Sequence, residues 1–263
     1  MSKRALSFLL PVVMGLVFIG LWYAVRYSMS EERRFLLPGP EQVINAFIEN
    51  GGALTKAALN TVKGALIGLS SAIVISLVLA IILSLSPLVR TSLYPYLMLL
   101  QMTPVIVLAP ILILWAGPGL PSVSVITFLI CFFPMVVNTT QGLISTDRNL
   151  VDLFKMCHAT RRQELLMLRL PAAMPYFFTG LRIAATLGPI GAIVGDFTAG
   201  NSAGDGGGLG FLSIIYSAQF KMPALFATAL TGCLLGFIFV SAVVWLSWLS
   251  MHKWHDSFSK GDS

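Results

Sequence analysis

The sequence predicts an all-α membrane protein with about six transmembrane helices, and three observations carry that expectation. Of 263 residues, 56% are hydrophobic and only 11% are charged, where a water-soluble domain carries about 25% charged residues. Mean hydropathy is +0.85. The apolar residues also gather in runs close to the roughly 20 residues that a bilayer-crossing helix needs. So few ionic groups cannot cover a water-facing surface, which excludes a soluble globular domain.

The runs predict spans at about 6–27, 62–85, 92–116, 122–144, 176–197 and 224–250. Lys3 and Arg4 precede the first run, as in a signal peptide. The run is long and no small-residue cleavage site closes it, so it is kept as a spanning helix. The segment after it, SEERRFLLPGPEQVINAFIENGG, cannot continue as helix through Pro38, Gly39 and Pro40. Val43, Ile44, Phe47 and Ile48 then share one face, which predicts a short interfacial helix over 41–49. This divides the chain into a first helix and external connector (1–57), a helical core (58–252) with a polar loop at about 147–175, and a tail (253–263).

The net charge of +6 does not indicate nucleic acid, because the basic residues flank apolar runs and read as topology signals. One side of the membrane receives Lys3, Arg4, Arg90, Arg148, Lys155, Arg161, Arg162, Arg169, Lys253 and Lys260. The other receives Arg26, Arg33, Arg34, Lys56, Lys63 and Lys221. The larger set places both termini and the 147–175 loop in the cytoplasm. Cys131, Cys157 and Cys233 are isolated and imply neither a disulfide framework nor a metal pair. His252 and His255 lack the further ligands a metal would need. Asn138-Thr139-Thr140 fits a glycosylation sequon, but at the predicted cytoplasmic end of a span it is not used.

Within the spans, polar and helix-interrupting residues mark where a solute could pass, since non-helical backbone at membrane depth is tolerated only beside protein or water. Gln101, Thr103 and Pro104 interrupt the third span, Pro134 and Asn138 the fourth, and Thr186, Gly188, Pro189 and Gly191 the fifth. The alternative for the small residues is close helix packing. Pro104 and Pro189, both mid-span, predict kinks. Arg182 lies about two turns inside the fifth span, where it can snorkel, meet an anion or join an ion pair. Asp196 ends the same span on the outer side. It reads as a gate latch, a contact for an external protein, or a solvated helix end.

Val151–Pro175 reads as a pair of short helices. Leu150, Leu153, Phe154 and Cys157 share a face of the first. Leu170-Pro171 and Met174-Pro175 are expected to punctuate the chain before the next span. An amphipathic hairpin there is either a connector lying on lipid headgroups or a docking element for a cytoplasmic protein. The residues alone leave both open.

The stretch DLFKMCHATRRQELLMLRLPAAMPYFFTGLRIA resembles the cytoplasmic signature loop of binding-protein-dependent ABC importer permeases. The matches are Ala159, Leu170-Pro171-Ala172-Ala173-Met174-Pro175 and Gly180-Leu181-Arg182. FLLPGPEQV, TPVIVLAPILILWAGPG, NTTQGL and GGGLGFL are similar, in the right order, to the subfamily importing nitrate, sulfonates, taurine and thiamine precursors. The resemblance implies a type I ABC importer permease fold with a cytoplasmic coupling-helix loop. It implies a subunit in a bacterial inner membrane, paired with itself or a paralogous permease. Two ABC ATPase subunits would hold the ATP and Mg, and an external solute-binding protein would deliver the solute. On this reading Asp152, Phe154, Lys155, Met156, His158, Ala159, Arg161 and Arg162 dock the ATPase, and Asp196 serves the outer gate or the binding protein. Gln101, Thr103, Pro104, Asn138, Thr186 and Pro189 line the pathway.

Two departures stand out: the loop glycine is His158, and the opening Glu-Ala-Ala reads Asp152-Leu153-Phe154. The chain has no G-x-x-x-x-G-K-[ST], and GDGGGLG at 204–210 lacks the Lys-Ser/Thr of a phosphate loop, so no enzyme activity or bound cofactor is expected of this chain. The competing class is an ion-coupled transporter or channel without an ATPase. It would mark its route with buried acidic or basic residues, and of these only Arg182 is plainly intramembrane.

Overall fold

The computed structural model describes residues 3–199 and 207–251. The tail 253–263, His252 and His255, and residues 204–206 of the glycine-rich run lie outside the described residues. Among the described residues, five helices are long and apolar enough to cross a membrane, and a bent helix pair makes a sixth if the pair counts as one span.

Helix α1 (Lys3–Ser28) holds the rest of the chain near its C-terminal end. The Trp22 indole donates to the Pro38 carbonyl at 2.9 Å. Tyr23 donates to Glu41 Oε2 at 2.6 Å, and Arg26 pairs with Glu41 Oε1 at 3.2 Å. The Tyr23 hydroxyl, helped by Arg26, holds the Glu41 carboxyl below its ordinary range. After a 3-10 turn (Glu31–Leu36), α2 (Pro40–Glu49) starts on a proline at its first position, where the missing N–H costs nothing. The short helix is as expected, but its apolar face is divided. Val43 is buried with Ala46 against Tyr216, Ala224 and Ala227, while Ile44 and Ile48 stay exposed.

Helix α3 (Gly51–Leu85) begins eleven residues earlier than the sequence reading placed it. At about 52 Å it is far longer than a hydrocarbon core of about 30 Å. The predicted third span is not one rod. α4 (Pro87–Gln101) and α5 (Val105–Ala116) meet at 98°. Pro104 pushes Thr103 out of the helical region and cannot donate back into α4. It sits in an extended conformation as the N-cap of α5, so the expected kink is a full corner.

Helix α6 (Leu120–Ile144) leads into α7 (Arg148–Met156). The expected second short helix does not stand alone. α8 (Arg161–Gln163), a π segment (Glu164–Arg169) and α9 (Leu170–Ala199) form one continuous helical span, Arg161–Ala199. Pro171 and Pro175 lie inside it and do not end it. The π segment just upstream widens the turn where the Pro171 ring would otherwise press on the Met167 carbonyl. Pro189 is likewise absorbed in α9. A short apolar helix, α10 (Leu209–Ala218), which the sequence reading did not contain, precedes α11 (Met222–Met251).

The core lies where α3, α6 and α9 cross. Small residues let these helices approach, as membrane packing requires. A Cβ on Gly195 would lie 2.9 Å from the Val123 Cα, a backbone atom that cannot swing aside, whereas one on Gly188 meets only the Cys131 sulfur at 3.7 Å. Gly195→Ala is therefore expected to destabilise by about 1–3 kcal/mol through overpacking. Gly188→Ala should be neutral or stabilising by up to about 1 kcal/mol, since helical glycine is entropically costly. Thermal unfolding of the two variants in one detergent checks the contrast.

Candidate functional site

Helix α7 is a self-contained protrusion at one end of the bundle. Asp147 starts it, its side chain accepting from the Asn149 N–H at 2.9 Å. At its other end His158 takes a left-handed conformation, φ 53°. The Ala159 N–H donates to the Phe154 carbonyl at 3.0 Å and the His158 N–H to the Lys155 carbonyl at 2.9 Å. These two bonds make the Schellman ending usually built on glycine. His158 thus does the turning that the resemblance assigns to a loop glycine, at a steric cost. His158→Gly should remove that cost and stabilise α7 by about 0.5–1 kcal/mol, read as slower amide exchange over 148–157.

The exposed face of α7 carries Leu150, Leu153 and Met156, the last 79% exposed. Beside them Asp152 and Lys155 form an exposed pair at 2.9 Å. Among the predicted docking residues, Met156, His158, Arg161 and Arg162 are exposed, while Phe154 and Ala159 are half-buried. Phe154 therefore looks partly inward. Leu150 and Leu153 carry the apolar stripe in its place. The sequence reading placed Leu150 and Leu153 on one face with Phe154, and their three-residue spacing continues to Met156.

Behind α7, Arg169 ties the π segment to the end of α6. Its guanidinium pairs with Glu164 at 2.6 Å and reaches the Leu143 carbonyl near the end of α6 at 3.4 Å. The π turn, bonding i to i+5, matches the five-residue spacing of Glu164 and Arg169. Both partners are mostly buried, so the pair is less screened than a surface one.

The predicted pathway residues separate into two groups. Gln101, Thr103 and Pro104 lie together at the α4–α5 corner, Gln101 and Pro104 exposed. Thr186 is exposed on α9, its hydroxyl donating to the Arg182 carbonyl at 3.0 Å. Asn138 instead donates to the Pro134 carbonyl at 2.8 Å and faces Gly180 across the α6–α9 contact. Pro189 is buried. These two belong to packing in the single chain, because the glycine-rich crossing draws α6 and α9 together there. Gly188 and Gly191 face α6 in the same way. Arg182 is exposed and has no ion-pair partner among the described residues, so of the alternatives the bundle ion pair is not seen.

Asp196 is not a solvated helix end. It is 4% exposed and accepts from the Thr61 hydroxyl of α3 at 2.6 Å. That hydroxyl oxygen accepts in turn from the Leu209 N–H at 2.9 Å, and the Gly210 N–H also faces the carboxylate. The carboxylate thus sits at the N-terminus of α10, where the helix dipole favours negative charge. A Cβ on Gly208 would collide with the Asp196 carboxylate, and one on Gly210 with the Ile193 carbonyl. These glycines of the GGGLGFL run let α10 close onto α9. Asn60 adds a bond to the Gly207 carbonyl at 3.0 Å.

Residues 72–256 match the family described as binding-protein-dependent transport system inner membrane component. The chain is 35% identical to the formylaminopyrimidine transport permease protein of Halalkalibacterium halodurans, over 92% of this chain and 94% of that one. It is 34% identical to the riboflavin transport system permease protein of Chloroflexus aurantiacus, over 86% and 82%. With the nitrate import permease protein of a Synechocystis species it shares 26% identity, over 80% and 79%.

Proposed function

Because the chain belongs to the family of binding-protein-dependent transport system inner membrane components, and is thus the transmembrane permease component of an ABC importer, we propose that two copies form a pathway driven through α7. The described residues of one copy offer six spans at most, too few to enclose a route and present two docking loops, and a symmetric pair is the commonest solution. Two ATPase subunits hold the ATP and Mg, and this chain makes and breaks no bond. An external binding protein delivers the solute. The chain lies in a bacterial inner membrane with both termini and α7 in the cytoplasm.

The observation that carries this reading is the exposed apolar stripe of α7, set on a capped helix between α6 and α9. A groove on the ATPase receives Leu150, Leu153 and Met156, with Asp152, Lys155, Arg161 and Arg162 around them. Closure of the ATPases pushes α7. Arg169 passes the push to α6 and α9 together, and these helices move against the α4–α5 corner. Gln101, Thr103, Pro104 and Thr186 face the route. Asp196, too buried to touch a binding protein, latches α10 to α9 and α3 at the outer end. The solute is a small nitrogen heterocycle of the vitamin-precursor kind. The names of two relatives above 30% identity, for formylaminopyrimidine and riboflavin, support that choice, as do the uncharged polar groups at the corner.

Cys157 tests the arrangement, being exposed at the end of α7 while Cys131 is buried. A membrane-impermeant maleimide should label Cys157 in inside-out vesicles and not in intact cells. Co-expression of the cognate ATPase should suppress that labelling. Labelling from outside overturns the topology, and unchanged labelling in the assembled complex overturns the docking.

A further inference from the structure

A cleft of about 360 Å³ opens at the same end of the bundle as α7, between the start of α4 and the end of α6. Arg90, Thr91, Tyr94 and Pro95 form one wall, and Thr140, Gln141 and Ile144 the other. The spacing on each helix, i, i+1 and i+4, is that of a single helical face turned toward the gap. No residue of this lining is a carboxylate.

Two features make it more than a surface dent. Thr140 is 1% exposed, and its hydroxyl has no hydrogen-bond partner. Of the buried threonines, Thr127 and Thr228 return their hydroxyl to a carbonyl four residues back, at 2.9 and 2.8 Å, and Thr61 donates to Asp196, while the hydroxyls of Thr140 and its neighbour Thr139 find no partner, Thr140 alone of these two lining the cleft. An unmet buried hydroxyl is costly. Opposite it, Arg90 forms no ion pair with any described residue, and no described residue accepts from Tyr94 or Gln141. The cleft therefore brings together a cationic fork, a phenol, an amide and a buried hydroxyl, all able to donate and none engaged.

We propose that this cleft binds an oxyanion, held by Arg90 with Tyr94, Gln141 and the Thr140 hydroxyl as further donors. A guanidinium recognises phosphate-type oxygens in a fork, and charge-assisted bonds of this kind are about twice as strong as neutral ones. The ligand is either the phosphate of an anionic lipid headgroup or a free inorganic oxyanion, since both present the same acceptors. The site lies apart from α7 and from the α4–α5 corner, so it does not depend on which solute is carried.

The test uses the full chain assembled with its ATPase in nanodiscs. One arm has phosphatidylcholine alone with sodium phosphate titrated in. The other exchanges part of the phosphatidylcholine for phosphatidylglycerol without free phosphate. Thermal unfolding is followed in the wild type and in the Arg90→Gln and Thr140→Val variants. A shift in the first arm identifies a free anion, and one in the second a lipid headgroup. In whichever arm responds, Arg90→Gln should weaken the apparent affinity about tenfold or more, since a charge-assisted bond is lost. Thr140→Val keeps the shape. It should raise the unfolding temperature without anion, by removing the unmet hydroxyl, and shrink the anion-dependent shift. No shift in either arm, or a shift that both variants keep in full, overturns the proposal.

Discussion

Replacing Leu153 and Met156 together by aspartate is expected to abolish transport, by about 100-fold or more, while the protein stays folded in the membrane. Both side chains are more than half exposed, so the folded chain loses little buried apolar area. Surface substitutions away from special features usually cost within about 0.5 kcal/mol. An ATPase groove would instead have to bury two carboxylates without partners, at several kcal/mol each. The reading is solute uptake in proteoliposomes, with the ATPase-to-permease ratio after purification and the unfolding temperature as controls. Phe154→Asp is the weaker experiment, because its half-buried ring also supports α7 and its loss confounds docking with folding. Full uptake by the double variant would remove α7 from the mechanism.

The second large effect concerns the junction of α9 and α10. Asp196→Ala should destabilise the chain by about 1–3 kcal/mol, because it leaves buried donors that have no water to turn to. Asp196→Asn retains an acceptor for Thr61 and should lose roughly half as much. Thr61→Val removes the group that bridges the carboxylate to the Leu209 N–H, so its effect should be strongly non-additive with Asp196→Ala. A double-mutant cycle in thermal unfolding measures that coupling. Hydrogen exchange adds a local readout: Asp196→Ala should release the first turn of α10 while α6 stays protected. Additive losses would mean that the two residues act separately and that no latch exists.

The spans and their order were legible because apolar runs of bilayer length are a strong signal. The corner at Pro104 was legible in position but not in angle. A proline specifies that a hydrogen bond is missing, and the packing of neighbours decides whether the helix bends or breaks. Pro171 and Pro175 show the converse. They looked like stops, yet the helix passes through both, and the π segment that makes room for the Pro171 ring leaves no residue-type signature of its own. The early start of α3 was hidden by Lys56 and Lys63, which mark the edge of an apolar run but not of a helix that projects into water. For the site, His158 in a glycine position was readable and takes the turn. The division of α7 into an outward Leu150–Leu153–Met156 stripe and an inward-leaning Phe154 was not, since all four are apolar and only the neighbouring helices distinguish them. The burial of Asp196 was equally hidden, because its partners Thr61 and Gly210 lie 135 and 14 positions away in the chain.

The π segment at Glu164–Arg169 also sets a phase. Each residue of an α-helix advances the chain by about 100° around its axis. Removing a single residue there would let the stretch relax to ordinary α geometry, swinging Arg161, Arg162 and the whole of α7 to a new azimuth relative to α9. Two permeases with identical protrusions but different lengths in this stretch would thus present them in different directions, and their motor subunits would not be interchangeable.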